Sequence, residues 1–401
     1  MRVLQVHNQY FSGLGGEDTV VRLERGLLQS RGHEVRQVIV STSELKGAGA
    51  LPLIQAAVSS IWSGSSYDSV ANAVKAFRPE VVHVHNTFPL LSPSVYYAAR
   101  RNGVCVVQTL HNYRIACANG LLLRNGMPCE DCVGRTKWRG LVHRCYSGSA
   151  GMSASVVAIE TSHRITGTFR YQVDAYIALS SFQRDIVIRD GLPAEKVHIK
   201  PNFSSNAIFA NKHSKRGAQI VYIGSIRREK GTDLLLNAWT KVRPEGYRLL
   251  LLGDGPDRAE FQQQYASDDS IIWMGFQSAT EVARVLGECK YIVIASRWYE
   301  GFPMVLLEAF TSGTPAIAPN HAAFPEILGG GKSGFLFEPS SSDSLADVLR
   351  RAVSTDEFGW HQLSDAALAR AEDYSADINY TRLMEIYKAA RDSYSRTHFH
   401  S

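Results

Sequence analysis

The chain has 401 residues, of which 45% are hydrophobic and 20% charged, with a formal net charge of +5. This composition fits a folded globular protein and excludes a disordered or collagen-like chain. No apolar run reaches the ~18 residues that a membrane-spanning helix requires. Met1–Val6 is apolar for too short a stretch to be a signal peptide. A cytoplasmic protein is therefore expected, with a possible peripheral position at the inner membrane face. The length suggests two domains of about 200 residues each. Residues 1–200 carry 22 Lys and Arg against 14 Asp and Glu, whereas the remainder carries 21 against 24. A basic first half suggests an anionic partner: a membrane surface, a lipid pyrophosphate or an acidic glycan. No nucleic-acid-binding motif is present.

In chain order, Val3–Val6 reads as a strand, and Glu17–Ser30 as a helix with Val20, Val21, Leu23, Leu27 and Leu28 at helical spacing. Val35–Val40, Val81–His85, Val104–Leu110 and Ala175–Leu179 read as further strands. Helical patterns at Val70–Phe77, Val95–Arg101 and Phe182–Asp190 separate several of them. Residues 204–217 are polar and read as a linker. The alternation then restarts with strand Ile220–Ile223, helix Asp233–Thr240, strand Tyr247–Leu252, helix Arg258–Tyr265, strand Ile271–Met274, helix Ala279–Gly287 and strand Tyr291–Ala295. Ile378–Tyr394 reads as a last helix. Such alternation implies parallel sheets covered by helices, with ligands at the carboxyl ends of the strands.

The most informative segment is Glu300-Gly-Phe-Pro-Met-Val-Leu-Leu-Glu308, which follows the strand Tyr291–Ala295 and opens a helix. Eight residues is a little over two helical turns, so the two glutamates are expected on nearly the same face. A helix start favours an anion. Carboxylates beside an anion site suit a ligand with both a diphosphate and hydroxyls, as in a nucleotide sugar. The segment resembles the E-x7-E signature of the retaining family 4 glycosyltransferases, which have the GT-B fold.

The resemblance extends over nearly the whole chain. Gly224-Ser-Ile-Arg-Arg-Glu-Lys-Gly231 is similar to the family loop that holds the donor diphosphate, with Lys230 at the family lysine. Ser225 stands where the family has an arginine, which leaves Arg227 or Arg228 as its replacement. Gly253-Asp-Gly-Pro256 is similar to the family's Gly-x-Gly-Pro turn, and Gly275-Phe276 to the nucleobase-contacting position. The resemblance places Gly301, Phe302, Pro303 and Met304 around the donor sugar and phosphates, Glu308 on the ribose and Glu300 near the donor sugar. In the first half, Gly13-Leu-Gly-Gly16, with Gly15 and Gly16, is expected near acceptor and diphosphate, and His111 matches the family's active-site histidine. His83 and His85 read as structural. The implied catalytic set is His111, Lys230 and Glu300, with no cofactor for catalysis. The reaction implied is transfer with retention, in which Lys230 stabilises the departing nucleoside diphosphate and the leaving phosphate oxygen takes the acceptor's proton.

Six cysteines are present. Cys105 and Cys289 sit in apolar strands and read as packing residues. Cys117-x11-Cys129-x2-Cys132-x12-Cys145 has the tight central pair of a tetrahedral zinc site, and structural zinc is expected; unliganded thiols, an iron–sulfur cluster or a redox pair are the alternatives. The stretch from Arg100 to Cys145 holds eight Lys and Arg against two acids, so it is expected to meet the acceptor.

The domains expected are a first, acceptor-side Rossmann-like domain over 1–203 with a basic cysteine loop at 112–146, and a linker over 204–217. A donor-binding domain over 218–375 and a helix over 376–401 that crosses back onto the first domain complete the chain. The two doubly wound domains are expected to face each other across a cleft. The expected function is sugar transfer from a UDP- or GDP-linked donor to a glycan or lipid-linked acceptor in cell-surface polysaccharide synthesis. A non-catalytic nucleotide-sugar-binding scaffold and a sugar-nucleotide epimerase on the same fold are the alternatives.

Overall fold

The computed structural model describes residues 1–9, 15–42, 60–204 and 216–398. The chain divides into two compact units. One comprises Met1–Leu122, Glu130–Asn202 and Ala376–Ser401, the other Leu123–Cys129 and Phe203–Ser375. Leu123–Cys129, expected within the first domain's loop, thus groups with the second unit.

The first unit contains strands β1 (Arg2–Gln9), β2 (Glu34–Ser41), β3 (Val81–Asn86) and β4 (Cys105–Thr109). A short antiparallel hairpin, β5 (Leu123–Arg124) and β6 (Met127–Pro128), belongs to the other unit. β7 (Ala175–Ala178) and β8 (Val197–Ile199) complete the first sheet. Its order is β2-β1-β3-β4-β7-β8, with every pairing parallel. Strands buried on both faces read as continuous β-branched runs, as in Val81-Val82 and Val106-Val107, because helices cover both sides. β3 is buried along its whole length although it carries His83, His85 and Asn86, so each of these polar groups needs an internal partner.

The final helix, Ala376–His398, packs on the first unit. Its Leu383, Ile386, Tyr387 and Ala390 share a core with Val3, Leu28, Val35, Cys105 and Ile177. The Tyr387 hydroxyl lies 2.8 Å from His83 Nδ1.

The second unit holds β9 (Gly217–Ile223), β10 (Arg248–Leu252), β11 (Ile271–Gly275), β12 (Cys289–Val293), β13 (Ala316–Pro319) and β14 (Gly334–Phe337). The order β11-β10-β9-β12-β13-β14 is the doubly wound dinucleotide-binding order, and its switch point falls between β9 and β12. Trp239, Leu249, Leu251, Tyr291, Val293 and Trp360 anchor its core.

The expected strands and helices are present within one to three residues at most ends, although helix Gly64–Phe77 begins six residues before the apolar pattern. Helices Ala150–Ile165, Ser342–Val353 and Glu357–Asp373 and strands β8, β13 and β14 have no counterpart in the sequence reading. The first of these helices is rich in Gly, Ala and Ser, which leaves its apolar stripe thin. Of the expected linker, residues 205–215 lie outside the described residues, and Gly217 already opens β9.

Candidate active site

In the second unit two loops emerge at the switch point. After β9 the chain turns through Gly224–Arg227 into a short 3-10 turn at Arg228–Lys230, and helix Thr232–Val242 follows. Gly231 has φ 71°, and a Cβ there would sit 1.9 Å from the carbonyl oxygen of Ala295, the residue that leaves β12. Only glycine permits that approach. The Gly253–Pro256 turn is stitched to the same loop: the amide of Gly224 donates to Leu252 O at 3.0 Å and that of Ile226 to Asp254 O at 3.0 Å.

Lys230 Nζ donates to Glu300 Oε1 at 2.6 Å, and Ser296 Oγ donates to the same oxygen at 2.7 Å. The ammonium also lies 4.4 Å from the centre of the Trp298 ring. Burial pushes the Glu300 carboxyl upward, but the charge and hydrogen bond of Lys230 outweigh it and hold the group below its ordinary value. His321 lies close by, with its Nε2 3.2 Å from Ser296 O, and burial lowers it to about 4.

The two candidate arginines differ. Arg228 is exposed, paired with Glu260 and stacked 5.2 Å from the centre of the Phe261 ring. Arg227 is half-buried and its Nε has no hydrogen-bond partner among the described residues.

Helix Met304–Thr311 starts after Pro303, which occupies the N-cap with φ −66° and ψ 121° and makes no side-chain cap. Glu300 therefore stands in the loop, four positions before the helix, and the two glutamates do not share a helix face as the spacing suggested. Proline disfavours helical geometry in the residue before it, so Phe302 cannot extend the helix backwards. Gly301 and Phe302 are buried, and Phe302 packs edge-on against Tyr374 at 4.9 Å. Met304 is the first helical residue. The Glu308 carboxylate makes no hydrogen bond among the described residues, and burial raises it above the ordinary range. Phe276, beyond β11, is 66% exposed.

In the first unit, a chain of buried titratable groups crosses the sheet. His111, just beyond β4, has its Nε2 3.1 Å from Nδ1 of His85 on β3, and the rings stack at 5.4 Å. His85 Nε2 lies 3.4 Å from Glu24 Oε1, and His83 Nδ1 lies 2.9 Å from the same oxygen. Lys200 Nζ sits 3.2 Å from Glu24 Oε2. Glu24 is fully buried; burial would raise its carboxyl, but His83 and Lys200 hold it well below the ordinary range. Burial, reinforced by the neighbouring histidines, holds His111 well below its ordinary value, and His85 drops to about 3. Both rings are neutral at physiological pH.

His85, read as structural, is buried and held by internal partners, and it also touches His111 directly. Glu24 was missed, although a signal existed. It interrupts the apolar stripe Val20, Val21, Leu27 and Leu28, where a carboxylate needs a reason to be. Glu24, His83 and His85 gather within 4.8 Å, a spacing that could hold a metal ion. The ammonium of Lys200 at Glu24, together with the bonds from His83 to Tyr387 and Thr109, makes them an internal charge network instead.

Of the glycine loop, Gly13 and Leu14 lie outside the described residues. Gly15 is the N-cap of helix Gly16–Ser30 and Gly16 its first residue. Glu17, in that helix's first turn, is pushed to about 8 by burial and by Asp18.

The basic loop is more tightly held than its composition suggested. Lys137 is buried and donates to Asp190 Oδ1 at 2.5 Å and to Cys132 O at 2.7 Å. Arg114 lies 4.2 Å from the centre of the Phe88 ring and 5.2 Å from that of Tyr146. Lys137 is committed internally, whereas Arg114, whose Nε has no hydrogen-bond partner among the described residues, lines a cleft together with His111. Among the cysteines, the Cys117 thiol is buried, 3.0 Å from Asn119 Oδ1. Cys129 groups with the second unit and Cys117, Cys132 and Cys145 with the first.

Residues 15–202 match the model of a glycosyl transferase 4-like domain, and residues 204–366 that of the glycosyl transferases group 1. The chain is similar to lipopolysaccharide 1,6-galactosyltransferase of Salmonella typhimurium, with 25% identity over 210 residues, covering 50% of this chain and 58% of the relative. It is similar at 25% identity over 231 residues to the amylovoran biosynthesis glycosyltransferase AmsK of Erwinia amylovora, covering 54% of this chain and 56% of the relative. The matches thus span little more than half the length of these relatives. Among solved structures, the galactosyltransferase WaaB superposes with a TM-score of 0.63 at 16% identity, over 96% of this chain and 99% of the other. Anabaena HepE in complex with UDP-glucose superposes with a TM-score of 0.66 at 16% identity, over 97% of this chain and 100% of the other.

Proposed function

The chain belongs to the family 4 glycosyltransferases, on the GT-B fold, and from that premise we propose a retaining enzyme that moves a sugar from a nucleotide-sugar donor to a glycan or lipid-linked acceptor in cell-surface polysaccharide synthesis. The observation that carries this reading is the Lys230–Glu300 pair at the switch point of the second sheet. Dinucleotide-type sheets bind their ligand at this place.

In the proposed site Lys230 faces the donor diphosphate and offsets the charge that grows on it as the glycosidic bond breaks. Arg227 stands in for the family arginine, since its Nε has no partner among the described residues and Arg228 is occupied by Glu260. The uncapped start of helix Met304–Thr311 offers its free N–H groups to phosphate oxygens. The Glu308 carboxylate, with no partner among the described residues, accepts from the two ribose hydroxyls. Gly301, Phe302, Pro303 and Met304 surround the donor sugar, and Phe276 lies against the base. Glu300 is tied through one oxygen to both Lys230 and Ser296, which makes it a positioning group and a poor nucleophile. The incoming hydroxyl then attacks from the face the diphosphate leaves, and the leaving phosphate oxygen accepts its proton. By the family resemblance, His111 completes the proposed catalytic set.

The donor is UDP- or GDP-linked; no catalytic metal is invoked. On their sequence spacing alone, Cys117, Cys129, Cys132 and Cys145 are proposed as structural zinc ligands. No helix among the described residues is long and apolar enough to cross a membrane; cytoplasmic residence, with contact at the inner membrane face through the basic first half, belongs to the same proposal. The test is a thermal-shift screen of UDP- and GDP-sugars, because a bound donor raises the melting temperature by mass action, followed by NMR of the first product formed from an α-linked donor. An α-linked product is expected. No shift with any donor, or a β-linked first product, would overturn the reading.

A further inference from the structure

We propose that Glu24 is a positioning residue which, acting through His85, fixes the tautomer of His111 and leaves His111 Nδ1 as a hydrogen-bond acceptor for a substrate hydroxyl. That the partner of Nδ1 is a sugar hydroxyl rests on the glycosyltransferase reading above; the tautomer follows from the first unit alone.

The carboxylate of Glu24 is the hub of a cluster of donors. Gln5 Nε2 donates to its Oε1 at 3.3 Å, His83 Nδ1 lies 2.9 Å from the same oxygen, and Lys200 Nζ lies 3.2 Å from Oε2. Gln5, Glu24, His83, His85 and Lys200 are all buried. Burial would raise the Glu24 carboxyl, but His83 and Lys200 keep it ionised, and an ionised carboxylate can only accept. His85 Nε2 stands 3.4 Å from Oε1 and makes no aligned hydrogen bond among the described residues. His7, edge-on to His85 at 6.2 Å, commits its own Nε2 to Asp18 Oδ1 at 2.7 Å. The charge of Glu24 therefore decides where His85 carries its proton. A lone pair on Nε2 would face that negative charge in a low dielectric, whereas an N–H is attracted to it even out of line.

In a neutral imidazole one nitrogen donates and the other accepts. With Nε2 of His85 protonated, its Nδ1 accepts. The atom 3.1 Å from that nitrogen is His111 Nε2, so Nε2 carries the proton of His111 and donates it. The ring nitrogen left to His111 is Nδ1, which bears a lone pair. His111 is half-buried and lines a cleft. Its Nδ1 suits a hydroxyl as partner, and it opposes a phosphate or carboxylate oxygen. Without the charge on Glu24 the reverse arrangement becomes available, in which His85 Nδ1–H donates to His111 Nε2 and His111 presents an N–H instead. One buried carboxylate thus sets whether a ring two steps away accepts or donates.

Long-range proton–nitrogen NMR of the histidine rings, recorded on the full chain without substrate, tests the proposal because it distinguishes protonated from bare ring nitrogens. The His111 and His85 signals are identified by their loss in His111→Asn and His85→Asn. Near neutrality, wild type should show both rings protonated at Nε2 alone. Glu24→Leu is paired with Lys200→Met, so that no buried ammonium is left without a counter-ion. In that double variant the tautomer ratio of His111 should move toward Nδ1–H by about tenfold or more. Turnover of the nucleotide sugar found by the thermal-shift screen should fall by about tenfold, with UDP and GDP binding unchanged. Glu24→Asp, which keeps the charge, should recover part of both effects. A wild-type His111 protonated at Nδ1, or a tautomer that is the same with and without the Glu24 charge, overturns the proposal. Unchanged turnover beside a shifted tautomer overturns the positioning role. If the double variant fails to fold, the wild-type spectrum decides alone: Nε2–H on both rings supports the proposal and Nδ1–H on His111 defeats it. A wild type with the expected tautomer that binds no nucleotide sugar defeats the glycosyltransferase reading, and the hydroxyl partner with it, but not the tautomer.

Discussion

Lys230 and Glu300, seventy positions apart, meet at 2.6 Å because the strands that precede them, β9 and β12, are neighbours at the point where the second sheet reverses its order. The loops after those strands leave the same edge of the sheet, so each strand's carboxyl end delivers one member of the pair. Gly231 lets the backbones touch there.

Lys230→Ala and Glu308→Ala are each expected to lower kcat/KM for the true donor by about 2–4 kcal/mol, since each removes a charged partner of the developing or bound diphosphate nucleoside. Steady-state kinetics checks this. Arg227→Ala should follow the same course and Arg228→Ala should remain within about twofold of wild type, because Arg228 is exposed and held by Glu260.

Gly231→Ala is expected to destabilise the second unit. The left-handed backbone costs about 1 kcal/mol for a residue with a Cβ, and the 1.9 Å approach to Ala295 O forces the two loops apart. A lower melting temperature together with reduced donor binding would show both effects. An unchanged melting temperature would mean that the loops are not in contact in solution.

His85→Phe keeps a flat ring on the buried strand but removes the nitrogen 3.1 Å from His111. With His111 in the proposed catalytic set, His85 acts through it as a positioning residue, so kcat should fall while the donor's dissociation constant holds. His85→Asn, which can restore one hydrogen bond, should recover part of the loss; equal loss in both variants would point to a packing role alone.

Stability should depend on pH through two opposed sets of groups. His85 and His321 have folded values of about 3 and about 4, below the ordinary 6.5. Their contribution is present above about 6.5 and is lost as pH falls toward 3–4. Glu160 has a folded value of about 8 against an ordinary 4.5. Its contribution is present below 4.5 and is lost as pH rises through about 8. Arg114, Lys137 and Arg164 oppose that upward shift and Asp190 adds to it. The melting temperature of Glu160→Gln relative to wild type should therefore increase steadily from pH 5 to about pH 8.5, because Gln cannot ionise. A constant difference across that range would contradict it.

Elemental analysis of protein purified without chelator is expected to find about one zinc per chain, and Cys132→Ser should release it and lower the melting temperature. Protein without zinc whose four loop thiols titrate freely in the native state would reject the site.

The alternation of β-branched runs with amphipathic stretches, such as Val81–His85 followed by Val95–Arg101, was enough to imply two parallel sheets covered by helices, because period and propensity are local properties. Lys230, Glu300, Glu308 and His111 were legible because they lie in short segments whose residue types and spacing carry a resemblance. What could not be read was which side chains meet. Glu24 and Lys200 lie far apart in the chain and become partners of the His83–His85 strand only when helix Gly16–Ser30 and residue 200 pack against the first sheet. The same packing made His85 a neighbour of His111. Pro303 decided that Glu300 stands in a loop and not on the helix face that eight-residue spacing suggested. Glu160 gave no signal at all, since a glutamate in a helix is ordinary until folding buries the face it shares with Val156, Ile159 and His163. Local pattern determines the elements; only tertiary packing sets the dielectric and the partners around each charge, and these govern what the charges can do.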